Sequence, residues 1–111
     1  SDAYGLDPQL PMQCSERKIM LPEKYEEKDS LVVPSYFIDT NHHMNNTRYV
    51  QVAMEYVPKE FRTMEVRVEY KKAAMCRDVI VPHVTIEDPR VTVALCAPDG
   101  QPYAVVVFLK A

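Results

Sequence analysis

After Pro58 the chain changes its hydrophobic period from 3.6 to 2 and does not change back. Before that point Tyr49, Val52, Ala53, Tyr56 and Val57 recur at helical spacing and predict one apolar stripe over residues 45–57. After it Met64, Val66, Val68 and Tyr70 alternate with Glu65, Arg67, Glu69 and Lys71, the pattern of a strand with one buried and one wet face. Three further strand-like runs follow at 78–86, 90–97 and 102–110. Parallel neighbours would need crossovers of about a dozen residues or more, usually a helix. No helical pattern lies between these runs, so the later strands must pair antiparallel.

The turns agree. Asp99-Gly100 between two alternating runs is a strong hairpin signal, and Glu87-Asp88-Pro89-Arg90 is turn chemistry. Pro82 argues against a central, fully paired place for the 78–86 strand. Another β-rich stretch covers 30–40, where Pro34 removes one ladder donor and implies an edge or a bulge. Asn45 or Asn46 is a natural N-cap for the helix and Pro58 its stop. Val50 and Met54 widen the helix's apolar surface, so it should be wrapped on more than one side. The simplest packing is an antiparallel sheet curled around one central helix, an α+β fold of hot-dog type. Residues 1–26, with Pro8, Pro11, Pro22 and no sustained period, read as a linker or N-terminal arm that is partly tied down, and residues 27–111 as the domain. Residues 15–21 could hold a short strand.

At 111 residues there is room for one domain and one core. A net charge of −3 without a basic block argues against nucleic acid as a partner, and no apolar run approaches the roughly 20 residues of a membrane span. Cys14, Cys76 and Cys96 are odd in number and follow no metal spacing, which suits free thiols in a reduced, cytoplasmic setting. Cys96 alternates within a strand and should be buried. Cys76 next to an imidazole would make a nucleophile, but no motif favours it over a small turn residue. Adjacent His42 and His43 invite a zinc reading, yet they would point apart in an extended segment and His83 is the sole other histidine. No metal and no cofactor is expected. The chain opens on Ser1 rather than Met, as a processed or excised piece of a longer protein would.

The chemistry concentrates in residues 37–49, where an apolar run ends at Asp39 and a helix begins at Asn45. Asp39, Asn41 and His43 are spaced by two, so an extended backbone would point all three one way, with His42 and Met44 on the other side. One carboxylate, one amide and one imidazole would then share a face at a strand-to-helix junction. An imidazole is the natural acid–base group near neutrality. A carboxylate can orient it, activate water or attack a carbonyl, and the amide can hold water or a carbonyl. Free N–H groups at the helix start suit a developing oxyanion. Any one of the three alone would be ordinary loop chemistry. Arg62, Arg67, Lys71, Lys72 and Arg77 read either as a landing surface for an acidic partner or as a solvated face balanced by Glu65 and Glu69, the latter being the simpler reading.

The pattern Asp39-x-Asn41-x-His43-Met44-Asn45-Asn46-x-x-Tyr49, followed by Pro58, resembles the acyl-acyl carrier protein thioesterase family. Val68-Glu69-Tyr70-Lys71-Lys72 and Asp78-Val79-Ile80 are similar to its next strands, so the resemblance covers roughly 15–111. It implies two hot-dog domains in tandem, the N-terminal one forming most of the acyl pocket and the C-terminal one, which this chain resembles, carrying catalysis. By that resemblance Asp39, Asn41 and His43 match catalytic positions. The substrate would be a fatty acyl group on acyl carrier protein, hydrolysed to free fatty acid, with no membrane partner. The family commonly has Glu after its Tyr and two basic residues, and plant members have Cys next; here Ala73 and Ala74 stand there. A lone hot-dog domain exposes an edge strand and half a pocket, so pairing is expected, as a homodimer or with an N-terminal hot-dog domain. Two alternatives stay open: a catalytically weak acyl-binding or scaffold domain, and an acyl-coenzyme A thioesterase.

Overall fold

The computed structural model describes residues 13–16, 18–40 and 42–110, the first four by their backbone alone. In chain order the elements are β1 (Gln13–Glu16), β2 (Glu26–Glu27), β3 (Leu31–Val32), a 3-10 turn (Ser35–Phe37), α1 (Asn46–Met54), β4 (Thr63–Tyr70), β5 (Val79–Glu87), β6 (Arg90–Cys96) and β7 (Pro102–Lys110). The four long strands form an antiparallel run in the order β4-β7-β6-β5, with β1 added parallel to β4 and β2 added antiparallel to β5. The sheet curves around α1, whose Tyr49, Val50, Val52 and Ala53 are buried against it. This is the hot-dog fold.

The centre of the sheet explains the chain's most apolar stretch. Residues 103–108 of β7 are all buried, and so are residues 91–96 of β6. One face, with Val66, Val93, Val106 and Phe108, packs into the cluster that holds the helix. The other, with Ala94, Cys96 and Val105, is covered by Ile19 of the N-terminal segment. Strands buried on both faces lose the alternation seen in β4 and become continuous apolar runs.

Several expectations shift in detail. Met64 was expected on the core face but is 57 % exposed, because the β4–β7 register slips between Thr63 and Glu65 and puts a bulge there. The strand expected over 30–40 shrinks to Leu31–Val32. After the Val33 N–H bonds to the Asp78 carbonyl, Pro34 turns the chain into the 3-10 turn and away from the ladder. Pro82 was expected to keep β5 from being fully paired; β5 nonetheless carries β6 on one side and both β2 and β3 on the other. The two short strands leave a break around Pro82, spanned by the Lys28 N–H donating to the Pro82 carbonyl. The short strand in the N-terminal arm falls at Gln13–Glu16. Residues 1–12 of that arm and the Cys14 side chain lie outside the described residues.

At the turn between β6 and β7, Gly100 has φ +93° and its N–H donates to the Ala97 carbonyl, while Asp99 accepts from the Gln101 N–H. The left-handed backbone there is why glycine serves at this hairpin. No helix among the described residues is long and apolar enough to cross a membrane.

Candidate active site

The segment from Asp39 to His43 is not extended. It folds back on itself: the Asp39 N–H donates to the His43 carbonyl, the His42 N–H donates to the Asp39 carbonyl, and Ile38 bridges antiparallel to Met44. His42 takes φ +68°, as the last loop residue of a short hairpin does, and histidine is among the side chains that tolerate this region. The expected alternation over five extended residues is therefore replaced by a tight turn. Asp39 and His43 still end on a common face, since opposite residues of a narrow antiparallel ribbon do. Met44 is driven inward, 2 % exposed, and roots the turn in the core. His42 and His43 are exposed; Asp39 is half-buried and engaged in contacts of its own. Asn41 lies outside the described residues.

The turn runs straight into the helix. Asn45 is the N-cap, its side-chain oxygen accepting from the Thr47 N–H at 2.9 Å and the Thr47 hydroxyl at 2.7 Å. Its own N–H donates to the Phe37 carbonyl at 2.9 Å, so the chain entering the turn is tied to the chain leaving it. Substituting Asn45→Ala is expected to lower stability by about 1 kcal/mol, the usual worth of such a cap, measured as a shift of the urea midpoint.

A second loop, residues 71–78, is fastened to this turn at one residue. The buried Ala74 accepts from the Met44 N–H at 2.8 Å and donates its own N–H to the Tyr49 phenol oxygen at 2.8 Å. Burial pushes the Tyr49 hydroxyl above the ordinary tyrosine range, which keeps it neutral. Ala73, exposed, precedes this anchor and so lies beside the turn that carries His43. The two nearby carboxylates have structural partners. Glu69 accepts from the Ile19 N–H at 2.7 Å and pairs with Lys71 at 3.4 Å; chiefly that backbone bond holds its carboxyl below the usual range. Asp78 accepts from the Met75 N–H at 2.9 Å.

On the helix side of the turn, Asp39 lines a cleft of about 290 Å³ together with Tyr36, Phe37, Asn45, Arg48 and Gln51. His43 is not among the lining residues. The Arg48 guanidinium lies over the Phe37 ring at 4.9 Å and the Tyr36 ring at 5.7 Å, and donates to Gln51 at 3.2 Å. Neither Arg48 nor the Ala74 anchor stands out in the sequence. The one available signal is a cation three residues past the N-cap, following an aromatic pair just upstream of Asp39.

The remaining candidates separate cleanly. Cys96 is buried, and desolvation pushes its thiol up to about 11, so it is protonated and unreactive near neutrality. Cys76 is exposed. Within the basic cluster Arg67 pairs with Glu65 at 2.9 Å and Lys71 with Glu69, the balanced strand face, while Lys72 sits over the Tyr103 ring at 5.1 Å. No group of three or more His, Cys, Asp or Glu among the described residues could hold a metal ion.

Among curated proteins no significant sequence match is found. Three of the solved structures that share the fold illustrate the likeness. An acyl-ACP thioesterase from Bacteroides thetaiotaomicron superposes with TM-score 0.67 at 16 % identity, covering 82 % of this chain and 42 % of that one. A Staphylococcus aureus protein, described as hypothetical and solved in complex with CoA, gives 0.66 at 20 % identity, covering 79 % of each chain. An oleoyl thioesterase of provisional assignment from Lactobacillus plantarum gives 0.63 at 20 % identity, covering 81 % of this chain and 38 % of that one. The chain thus spans about two fifths of the length of the two thioesterases. The sequence profile of the acyl-ACP thioesterase C-terminal domain matches residues 21–93, from the arm through the motif turn, the helix and most of the sheet. The chain belongs to the acyl-ACP thioesterase family and carries its C-terminal domain.

Proposed function

We infer that this chain is the catalytic half of a thioester hydrolase that releases fatty acid from acyl carrier protein. The observation that supports it most is the folded turn itself, which holds Asp39 and His43 opposite one another at the start of a capped helix, inside the segment matched by the family profile. In this reading His43 takes a proton from a water molecule that Asp39 and Asn41 orient. The hydroxide adds to the thioester carbonyl carbon, and the resulting oxyanion is met by the Asn46 N–H, since the Asn45, Thr47 and Arg48 N–H groups are taken up by the Phe37 carbonyl, the Asn45 side chain and the Asn45 carbonyl. Collapse of that intermediate breaks the C–S bond. The imidazolium returns its proton to the departing thiolate, leaving acid and thiol.

Ala73 favours a second reading, a weak acyl-binding domain, because a carboxylate at that position would sit beside the turn and assist the water. One assay separates the two: release of free thiol from acyl-carrier-protein and acyl-coenzyme A substrates, followed for the chain and its Ala73→Glu variant. The hydrolytic reading expects turnover above the blank, increased about a hundredfold by the new carboxylate, the lower end of the range for a positioned base. A chain and a variant that both bind acyl carrier without releasing thiol would establish the binding domain instead. The ratio between carriers reports which thioester is preferred.

A further inference from the structure

The last residue of the motif, Tyr49, takes no part in the chemistry above. It is buried in the core cluster, a place that phenylalanine would fill as well if packing were the whole requirement. A buried hydroxyl is costly unless it is bonded, so the reason for tyrosine lies at its oxygen. Among the described residues that oxygen has one partner, the Ala74 N–H at 2.8 Å. Ala74 is itself fully buried, and a buried backbone N–H requires an acceptor.

The loop of residues 71–78 shows what this bond holds. At its start the Lys71 and Lys72 N–H groups both donate to the Tyr103 carbonyl, at 2.7 and 3.1 Å. At its end the Arg77 N–H donates to the Val33 carbonyl at 2.9 Å, and the Asp78 carbonyl accepts from the Val33 N–H at 2.8 Å. Between these ends, Ala74 alone among the described residues hydrogen-bonds to another element. It does so twice, to the Tyr49 phenol on the helix and to the Met44 N–H at the foot of the turn. Met44 follows His43 and bridges Ile38, which precedes Asp39. Consecutive Cα atoms are about 3.8 Å apart, so the clasp at residue 74 sets where position 73 stands relative to the turn. The Tyr49 ring is braced in its turn. It meets the Tyr70 ring edge-on, with centroids 5.7 Å apart and planes at 62°, and Tyr70 ends β4, the strand that feeds the loop. A ring held between helix and strand is a spacer of fixed length.

We propose that Tyr49 is a positioning residue for the reaction, its phenol oxygen holding the 71–78 loop so that position 73 stands against the Asp39–His43 turn. This rests on the hydrolytic reading for the reaction itself. Four chains are compared in thiol release from acyl carrier protein: the parent, Ala73→Glu, Tyr49→Phe and the double variant. Tyr49→Phe keeps the ring and removes the oxygen. With Tyr49 in place, Ala73→Glu is expected to raise turnover about a hundredfold. In the Tyr49→Phe background the same substitution should raise it less than about tenfold, because a misplacement of about 1 Å can cost about a hundredfold. Loss of folded protein lowers both members of a pair alike, so the ratio reports position and not stability. A hundredfold gain that persists with Tyr49→Phe overturns the proposal. So does a parent that turns over without responding to Ala73→Glu, since position 73 would then lie out of reach of the chemistry.

Amide exchange on the parent and Tyr49→Phe needs no turnover. Val93 and Val106, paired at the centre of the sheet, open only with the whole fold and report global stability. Relative to them, the Ala74 and Met44 amides should exchange at least about tenfold faster in the variant. Equal acceleration at all four would mean that the phenol only stabilises the domain, and overturns the proposal. If no chain releases thiol while the acceleration stays confined to Ala74 and Met44, the hydrolytic reading fails and the placing of the loop by Tyr49 stands.

Discussion

His43→Ala should lower kcat/KM for acyl-thioester hydrolysis by about 10² to 10⁴, the range for loss of a positioned acid–base group. The imidazole is exposed and its backbone carbonyl, not its side chain, closes the turn onto Asp39. Truncation therefore removes the proton carrier and leaves the fold in place, so the variant's urea midpoint should match the parent's within about 0.5 kcal/mol. Asp39→Asn makes the complementary experiment, since it keeps the shape and the backbone bonds while removing the charge. A drop of similar size, with little further loss in the double variant, would show the two acting on one step. Full activity in His43→Ala would refute the assignment of the acid–base role. The comparison is made as thiol release at saturating and at limiting substrate, so that an effect on binding separates from one on chemistry.

The largest effect on stability is expected from Phe108→Ala. Phe108 is 1 % exposed, near the end of the central strand β7, where it is paired with Val66 of β4 on one side and Val91 of β6 on the other. All three belong to the cluster that also holds Tyr49 and Val50 of the helix. Removing the ring opens a cavity between sheet and helix, where close neighbours on several elements cannot all collapse into it. The expected cost is about 3–5 kcal/mol. Against a typical total of about 5–15 kcal/mol for a domain of this kind, that is a large fraction. It should appear as a fall in the thermal midpoint of about 15 °C or more. Met20→Ala, at a side chain 92 % exposed, is the control and should change stability by less than about 0.5 kcal/mol. A Phe108→Ala midpoint within the control's range would mean that the ring is not part of the core.

How much of this was legible beforehand depends on whether the determining interactions are local. The four long strands, the helix and the Asp99-Gly100 turn were readable, because period, cap and turn residues act within a few positions of themselves. The hot-dog arrangement followed from one helix and a set of strands too closely connected to run parallel. What escaped was set by pairing at a distance. Met64 is lifted off the core by a register slip against β7, and the 30–40 run, where Pro34 implied an edge or a bulge, leaves the ladder for a 3-10 turn.

The candidate site shows the same division. Spacing by two suggested that Asp39 and His43 share a face. They are brought opposite each other by a reversal at His42 that the extended reading did not contain. Ala74 gave no signal, since an alanine contributes here only through its backbone, to partners 25 and 30 positions away. Arg48 did not stand out in the sequence either; the fold lays Phe37 and Tyr36 beneath its guanidinium.

The outer edge of β5 carries one more consequence. It is covered by two strands of two residues each, one of them Glu26-Glu27, with Pro82 at the break between them. Unpaired sheet edges invite other chains to add strands, the first step towards aggregates and fibrils. An edge made of minimal strands, side-by-side carboxylates and an imide nitrogen offers a newcomer too short and too charged a template to extend. The chain thereby guards itself on this flank against runaway self-association while its β-rich core segments fold.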